Sequence, residues 1–178
     1  MENLEMYNML LKTACPNNEL IPDQFGDPSV MVFIPKFKMS QIINTGSEKT
    51  HPAFIVNGEE RDGFYISKYQ NTDINGRGHS IPGAIPGNNV GIVSSLQKCD
   101  AKGRGWHLTT IQEWGAIALW CKKNGHLPSG NNDYGRDRRE SMYKAVPAAN
   151  EETAYTACSP EQARCHGAMT TRAPGSGI

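Results

Sequence analysis

One stretch, Thr110 to Gly125, is marked as a helix at both ends, and the rest of the chain has to be arranged around it. Thr110 stands three residues before Glu113, the spacing of a capping box. The threonine hydroxyl accepts from an early amide, and the glutamate reaches back to the cap. Ile111, Trp114, Ala118 and Cys121 then fall on one face, widened by Ile117 and Trp120. Lys122 and Lys123 occupy the last turn, where positive charge suits the helix dipole, and Asn124-Gly125 ends the run. The pattern predicts a helix over 111–123 whose broad apolar surface is deeply buried.

What precedes it reads as short strands separated by long turns. "VMVFIPKFKM" (30–39) is an apolar run bounded by Pro28 and Pro35, which predicts a strand ending at the proline that cannot donate to a ladder. Residues 53–72 read as two strands around a polar turn containing Gly58 and Gly63, with Phe64 and Ile66 alternating against Tyr65 and Ser67. "PNNELIPDQFGDPSV" (16–30) reads as turn chemistry. The 73–91 stretch holds five glycines and two prolines, so no regular element is expected there. Residues 92–101 predict a short helix, stopped by Gly103 and Gly105.

At the N-terminus, Leu4, Tyr7 and Leu11 share a helical face with Met6 and Leu10 beside it, predicting an amphipathic helix over 2–13. Docking on the domain is the favoured use of that face, and packing on another subunit is the alternative. Residues 141–178 are poor in large apolar side chains and read as weakly structured or truncated. Together these features predict one loop-rich α+β domain over 20–140, preceded by a helical segment at 1–19 and followed by the 141–178 tail.

The 18 basic and 18 acidic residues balance, so no bulk charge draws the chain to nucleic acid or an anionic membrane. No apolar run approaches the roughly 20 residues of a membrane span. The acid-bearing N-terminus does not read as a secretory signal, which leaves a virion-associated or cytoplasmic location as the expectation. Cys15, Cys99, Cys121, Cys158 and Cys165 are odd in number, irregular in spacing and without a CxxC pair, as expected of reduced thiols rather than a disulfide framework or a zinc site.

Four segments carry a family resemblance by their order and separation. They are "MVFIPKF" (31–37), "DGFYISKYQNT" (62–72), "GWHLTTIQEWGAIALWC" (105–121) and "LPSGNNDYG" (127–135). The series resembles the formylglycine-generating-enzyme-like (sulfatase-modifying-factor) superfamily over roughly residues 20–137. With "HPAF" (51–54), "KGRGWHL" (102–108) and "ALWCKKNG" (118–125), it is most similar to a phage and bacterial branch of that superfamily. The branch is associated with phage tail or receptor-binding proteins and with variable proteins of diversity-generating retroelements.

The resemblance implies a C-type lectin-like fold in which Trp106 and Trp114 are core and corner residues. It also implies a non-catalytic recognition role toward a host-surface protein or glycan, in a homo-oligomer. The tryptophan-rich segment with which full-length members continue does not occur here, so a C-terminally truncated or incomplete fold is expected.

The enzymes of the superfamily oxidise a substrate cysteine with a copper-binding thiol pair. Cys158 and Cys165 are near this C-terminus but match that motif in neither spacing nor context, so no catalytic residue is assigned, and an oxidase of this type acting on a cysteine of a target protein stays as the alternative function. His51, His79, His107, His126 and His166 are dispersed, and no serine–histidine–acid arrangement has supporting context. "NGRGH" and "GRGWH" are glycine turns without a nucleotide-binding pattern. His107 is expected to be a hydrogen-bonded corner residue. The loops at 73–91 and 125–140 have the composition of adaptable recognition loops, with Asn131, Asn132, Tyr134 and Arg136 the candidate ligand contacts. Asn131, Asp133 and Asp137 offer clustered oxygen ligands that suit calcium, although Asn and Asp also simply make turns.

Overall fold

The computed structural model describes residues 2–125, Arg138 and the pairs 146–147, 156–157 and 171–172. The chain is an α+β protein. Helix α1 (Glu2–Ala14) precedes the hairpin β1 (Asn18–Pro22) and β2 (Pro28–Pro35). Two short 3-10 turns, Met39–Gln41 and Pro52–Phe54, lead to the small hairpin β3 (Ile55–Val56) and β4 (Glu59–Glu60). Next come β5 (Gly63–Ser67), β6 (Thr72–Ile74), β7 (Arg77–His79), α2 (Ile92–Asp100), β8 (Trp106–His107) and α3 (Ile111–Lys123). The pairs β9 (Val146–Pro147), β10 (Thr156–Ala157) and β11 (Thr171–Arg172) follow. The central sheet runs β1-β2-β5-β11-β8, antiparallel throughout.

Two apolar clusters flank this sheet. The larger joins Ile34, Phe37, Phe54, Phe64 and Ile66 to Ala116, Ile117 and Cys121 of α3. The smaller is Ile21, Met31 and Trp106, with Tyr65 against it. Close approach of β2 and β5 depends on Gly63. A Cβ there would lie 2.3 Å from the Ile34 carbonyl oxygen and 2.5 Å from the Phe33 ring. Overpacking of this kind costs about 1–3 kcal/mol. Gly63→Ala should therefore lower the thermal midpoint by several degrees, and an unchanged midpoint would show that the strands separate freely.

Helix 111–123 forms with the predicted box: the Thr110 hydroxyl accepts from the Glu113 amide at 3.2 Å, and Glu113 Oε2 accepts from the Thr110 amide at 2.8 Å. Its buried face matches the predicted one only in part, at Ile117 and Cys121. Glu113, Ala116, Ile117 and Cys121 point inward, while Ile111 and Trp114 are 78% and 45% exposed. Apolar residues lie almost all round this helix, so periodicity does not single out a face. The ion pair that Glu113 makes with His107 turns its own side of the helix inward. Trp106 is buried as the resemblance implied; Trp114 is not.

Four further expectations are corrected. Residues 16–30 are more than turns, because Asn18–Pro22 pairs along β2 with prolines closing the ladder at Pro22 and Pro28. The 73–91 stretch holds all but Thr72 of a hairpin, β6–β7, turned by Asn75-Gly76 with both residues at positive φ (54° and 75°). That is the pairing that a two-residue Asn-Gly loop favours. In the 53–72 region, Asn57-Gly58 makes the turn, and Gly63 begins a strand. On α1 the inward face is Leu4, Asn8 and Leu11, whereas Tyr7 is 56% exposed. Asn8 takes the inward place because its Oδ1 accepts from the Leu20 amide at 2.9 Å.

Candidate functional site

The residues with most chemical potential converge under the β1–β2 loop. Asp23 Oδ1 accepts from the amides of Phe25 (2.9 Å) and Asp27 (3.1 Å), folding the loop around the aspartate, and Gly26 turns it at φ 90°. From β7, Arg77 and His79 alternate by two and so share one side of the strand. Arg77 bridges both acids, Nη1 to Asp23 Oδ2 and Nη2 to Asp27 Oδ2 (2.6 Å), and its guanidinium lies 4.5 Å from the Phe25 ring centroid.

Lys102, just after α2, comes in from the other side with its side chain fully buried. Its Nζ donates to Ser29 Oγ (2.9 Å), lies 3.2 Å from His79 Nδ1 and sits 4.1 Å over the Trp106 ring. With the ammonium donating to Nδ1, neutral His79 carries its proton on Nε2. That nitrogen is buried without a hydrogen-bond partner, 3.5 Å from Asp23 Oδ2. Backbone bonds close the unit, from Gln24 N to the Lys102 carbonyl (3.0 Å) and from Val30 N to the Ser80 carbonyl (2.9 Å).

The charge states follow from this packing. Burial pushes Lys102 down to about 8, against the pull of Asp23. Burial and the neighbouring Lys102 cation lower His79. Burial works against ionisation of Asp23, but the two loop amides and Arg77 prevail and hold its carboxyl below the ordinary value.

Lys102 has a lower pKa folded than unfolded, so the unfolded chain binds more protons and stability rises with pH. The window runs from about 8 towards the unmodified value of 10.5, and each unit is worth about 1.4 kcal/mol. Buried Cys99, raised to about 11, acts in the opposite sense above pH 9. Chemical denaturation should thus show a gain of about 1 kcal/mol between pH 7 and 9. Lys102→Met should flatten that gain; a slope that survives the substitution would place its origin elsewhere.

Asp23, Asp27 and His79 each bring one ligand atom within 4.8 Å of the others, which is enough to raise the question of a metal. The arrangement fits poorly. The Arg77 guanidinium already lies between the carboxylates, and the Lys102 ammonium faces His79, so a divalent ion would meet two cations. The cluster is a buried ion network that clamps the β1–β2 loop, β7 and the α2–β8 link together.

The GWHLTTIQEW block makes a second clamp. His107 Nε2 lies 2.9 Å from Glu113 Oε1, and Nδ1 is 3.3 Å from the Gly105 carbonyl, so His107 is the hydrogen-bonded corner residue expected of it. Glu113 raises the His107 pKa. Burial opposes ionisation of Glu113, but His107 and Thr110 hold it low. Thr110→Ala should cost about 1 kcal/mol, the usual value of a lost N-cap, measured by urea denaturation.

Compared with protein-family models and with curated proteins, the chain finds no match. Its function must therefore be argued from its own residues. Asn131, Asn132, Asp133, Tyr134, Arg136 and Asp137 lie outside the described residues, as do His126, His166, Cys158 and Cys165. Cys15, Cys99 and Cys121 take part in no disulfide. Among the described residues, no helix is long and apolar enough to cross a membrane.

The network of Asp23, Asp27, Ser29, Arg77, His79 and Lys102 was missed in the sequence. The Asn-Gly turn was the available signal, since a hairpin at 75–76 places Arg77 and His79 on one side.

Proposed function

We propose that this chain is a recognition domain without catalytic activity. It takes the C-type lectin-like fold of the phage and bacterial branch of the formylglycine-generating-enzyme-like superfamily. It serves in a phage tail adhesin or a diversified surface protein, contacting a host-surface protein or glycan and associating with copies of itself. The observation that carries this reading is a set of large apolar side chains exposed on α2 and in the segment that leads into it. Ile85, Val90, Ile92, Val93 and Leu96 are 62%, 38%, 68%, 64% and 46% exposed. Leu96 lies four residues from Ile92 and three from Val93 and so neighbours both on the helix surface, and apolar groups clustered on a surface mark contact sites more often than chance. Immediately beneath, Cys99 is buried, and the ion network anchors the end of the helix through Lys102. The ionisable groups of that network are bound to one another and, Asp27 apart, enclosed, which supports a structural use for them.

Fluorescently labelled protein should bind intact host cells, and Ile92→Asp with Val93→Asp should weaken that binding at least tenfold while the circular dichroism spectrum stays unchanged. The absence of binding to host cells and to their extracted surface glycans and proteins would remove the recognition reading.

A further inference from the structure

The outer face of α1 has a pattern of its own. Leu4, Asn8 and Leu11 face the domain, and Met6, Tyr7, Met9 and Leu10 are 46%, 56%, 64% and 56% exposed. Met6, Met9 and Thr13 follow one another at spacings of three and four, the seam of a coiled coil. The Thr13 hydroxyl is already satisfied by the Met9 carbonyl (2.8 Å), so Thr13 can present its methyl group to the seam. Glu5 and Lys12, seven residues apart, lie on one flank of the seam, while Tyr7 and Leu10 lie on the other.

We infer that this face pairs with the same face of a second copy, as two antiparallel α1 helices related by a twofold axis. The inference deepens the self-association part of the proposed function and does not depend on host recognition. Its argument is complementarity. In an antiparallel pair, each flank meets the equivalent flank of the other helix, running the opposite way. The register that sets Glu5 level with the partner's Lys12 also sets Tyr7 level with the partner's Leu10. Twofold symmetry makes each of those contacts twice.

A parallel pair would instead set the Glu5 flank against the Leu10 flank and leave the charges without opposites. Lys12 also reaches Glu19 (2.9 Å) but remains 45% exposed, and an ammonium has donors for both carboxylates. A helix of 13 residues is only about 20 Å long, so the contact is small and the association is weak and concentration-dependent.

Sedimentation velocity on the full chain, from micromolar to near-millimolar concentration, tests this without any host component. Wild type should shift from monomer to dimer. Glu5→Lys alone and Lys12→Glu alone each set like charges together and should self-associate at least tenfold more weakly. An equimolar mixture of the two variants should recover the dimer, because both charge pairs then match again. Recovery on mixing would not occur if Lys12→Glu acted only by losing Glu19. A wild-type chain that stays monomeric, variants that dimerise as well as wild type, or a mixture that does not recover would each overturn the inference.

Discussion

Arg77→Met should destabilise the protein by about 3–5 kcal/mol, the largest loss expected from any surface-distant polar substitution in this chain. Arg77 is the cation between two carboxylates, one of them, Asp23, with a fully buried side chain. Removing it leaves Asp23 ionised in the protein interior, with loop amides, a neutral histidine and the field of the Lys102 ammonium but no cation bound to it. The alternative is for Asp23 to take up a proton, which requires lifting a pKa that the fold holds low.

The double variant Arg77→Met with Asp23→Asn separates the cost of the orphaned charge from the value of the network. Buried ion pairs are often no better than the apolar groups that could replace them. The double variant should therefore recover at least half of the loss, seen as coupling in a double-mutant cycle by guanidinium denaturation. A single variant within about 0.5 kcal/mol of wild type would mean that water reaches Asp23 and that the clamp contributes little, since surface substitutions fall in that range.

Apart from the Asn-Gly turn, little in the sequence pointed to this network, and the reason is physical. Its members come from residues 23–29, 77–79 and 102, and only the pairing of the strands brings them together. Each is locally ordinary: aspartates in a turn, an arginine and a histidine among glycines, a lysine after a helix. The strands that assemble them were also hard to read. β1 is a five-residue strand in proline-flanked, turn-rich sequence, and β6 and β7 are three residues each, too short to show alternation.

The elements set by local chemistry were legible. The Thr110–Glu113 box, the strand ending at Pro35 and the helix over 92–100 all depend on neighbours in the chain and formed where expected. The orientation of α3 depends on a partner, His107 on β8, and so did not follow from the order of apolar residues in the helix.

The same distinction makes Phe54 the second large prediction. Its local sequence, "HPAF", gives one 3-10 turn, capped by His51 Nδ1, which accepts from the Ala53 amide at 3.2 Å. Nothing in that turn suggests the centre of a core. Yet Phe54 is fully buried, with Phe37 edge-on at 5.1 Å, Phe64 at 5.5 Å and α3 packed over the turn. The ring thus joins the sheet to the helix, and deleting it opens a cavity that the aromatic neighbours, themselves fixed on β2 and β5 or beside them, cannot fill.

Phe54→Ala should cost about 3–5 kcal/mol, and Phe54→Leu, which keeps most of the volume, about 1 kcal/mol. Denaturation midpoints should fall in that order with the slope of the transition unchanged, since the surface exposed on unfolding is nearly the same. If the alanine variant lost less than about 1 kcal/mol, the site would have collapsed around the missing ring. Helix α3 would then have to be held mainly by the His107–Glu113 corner rather than by the core beneath it.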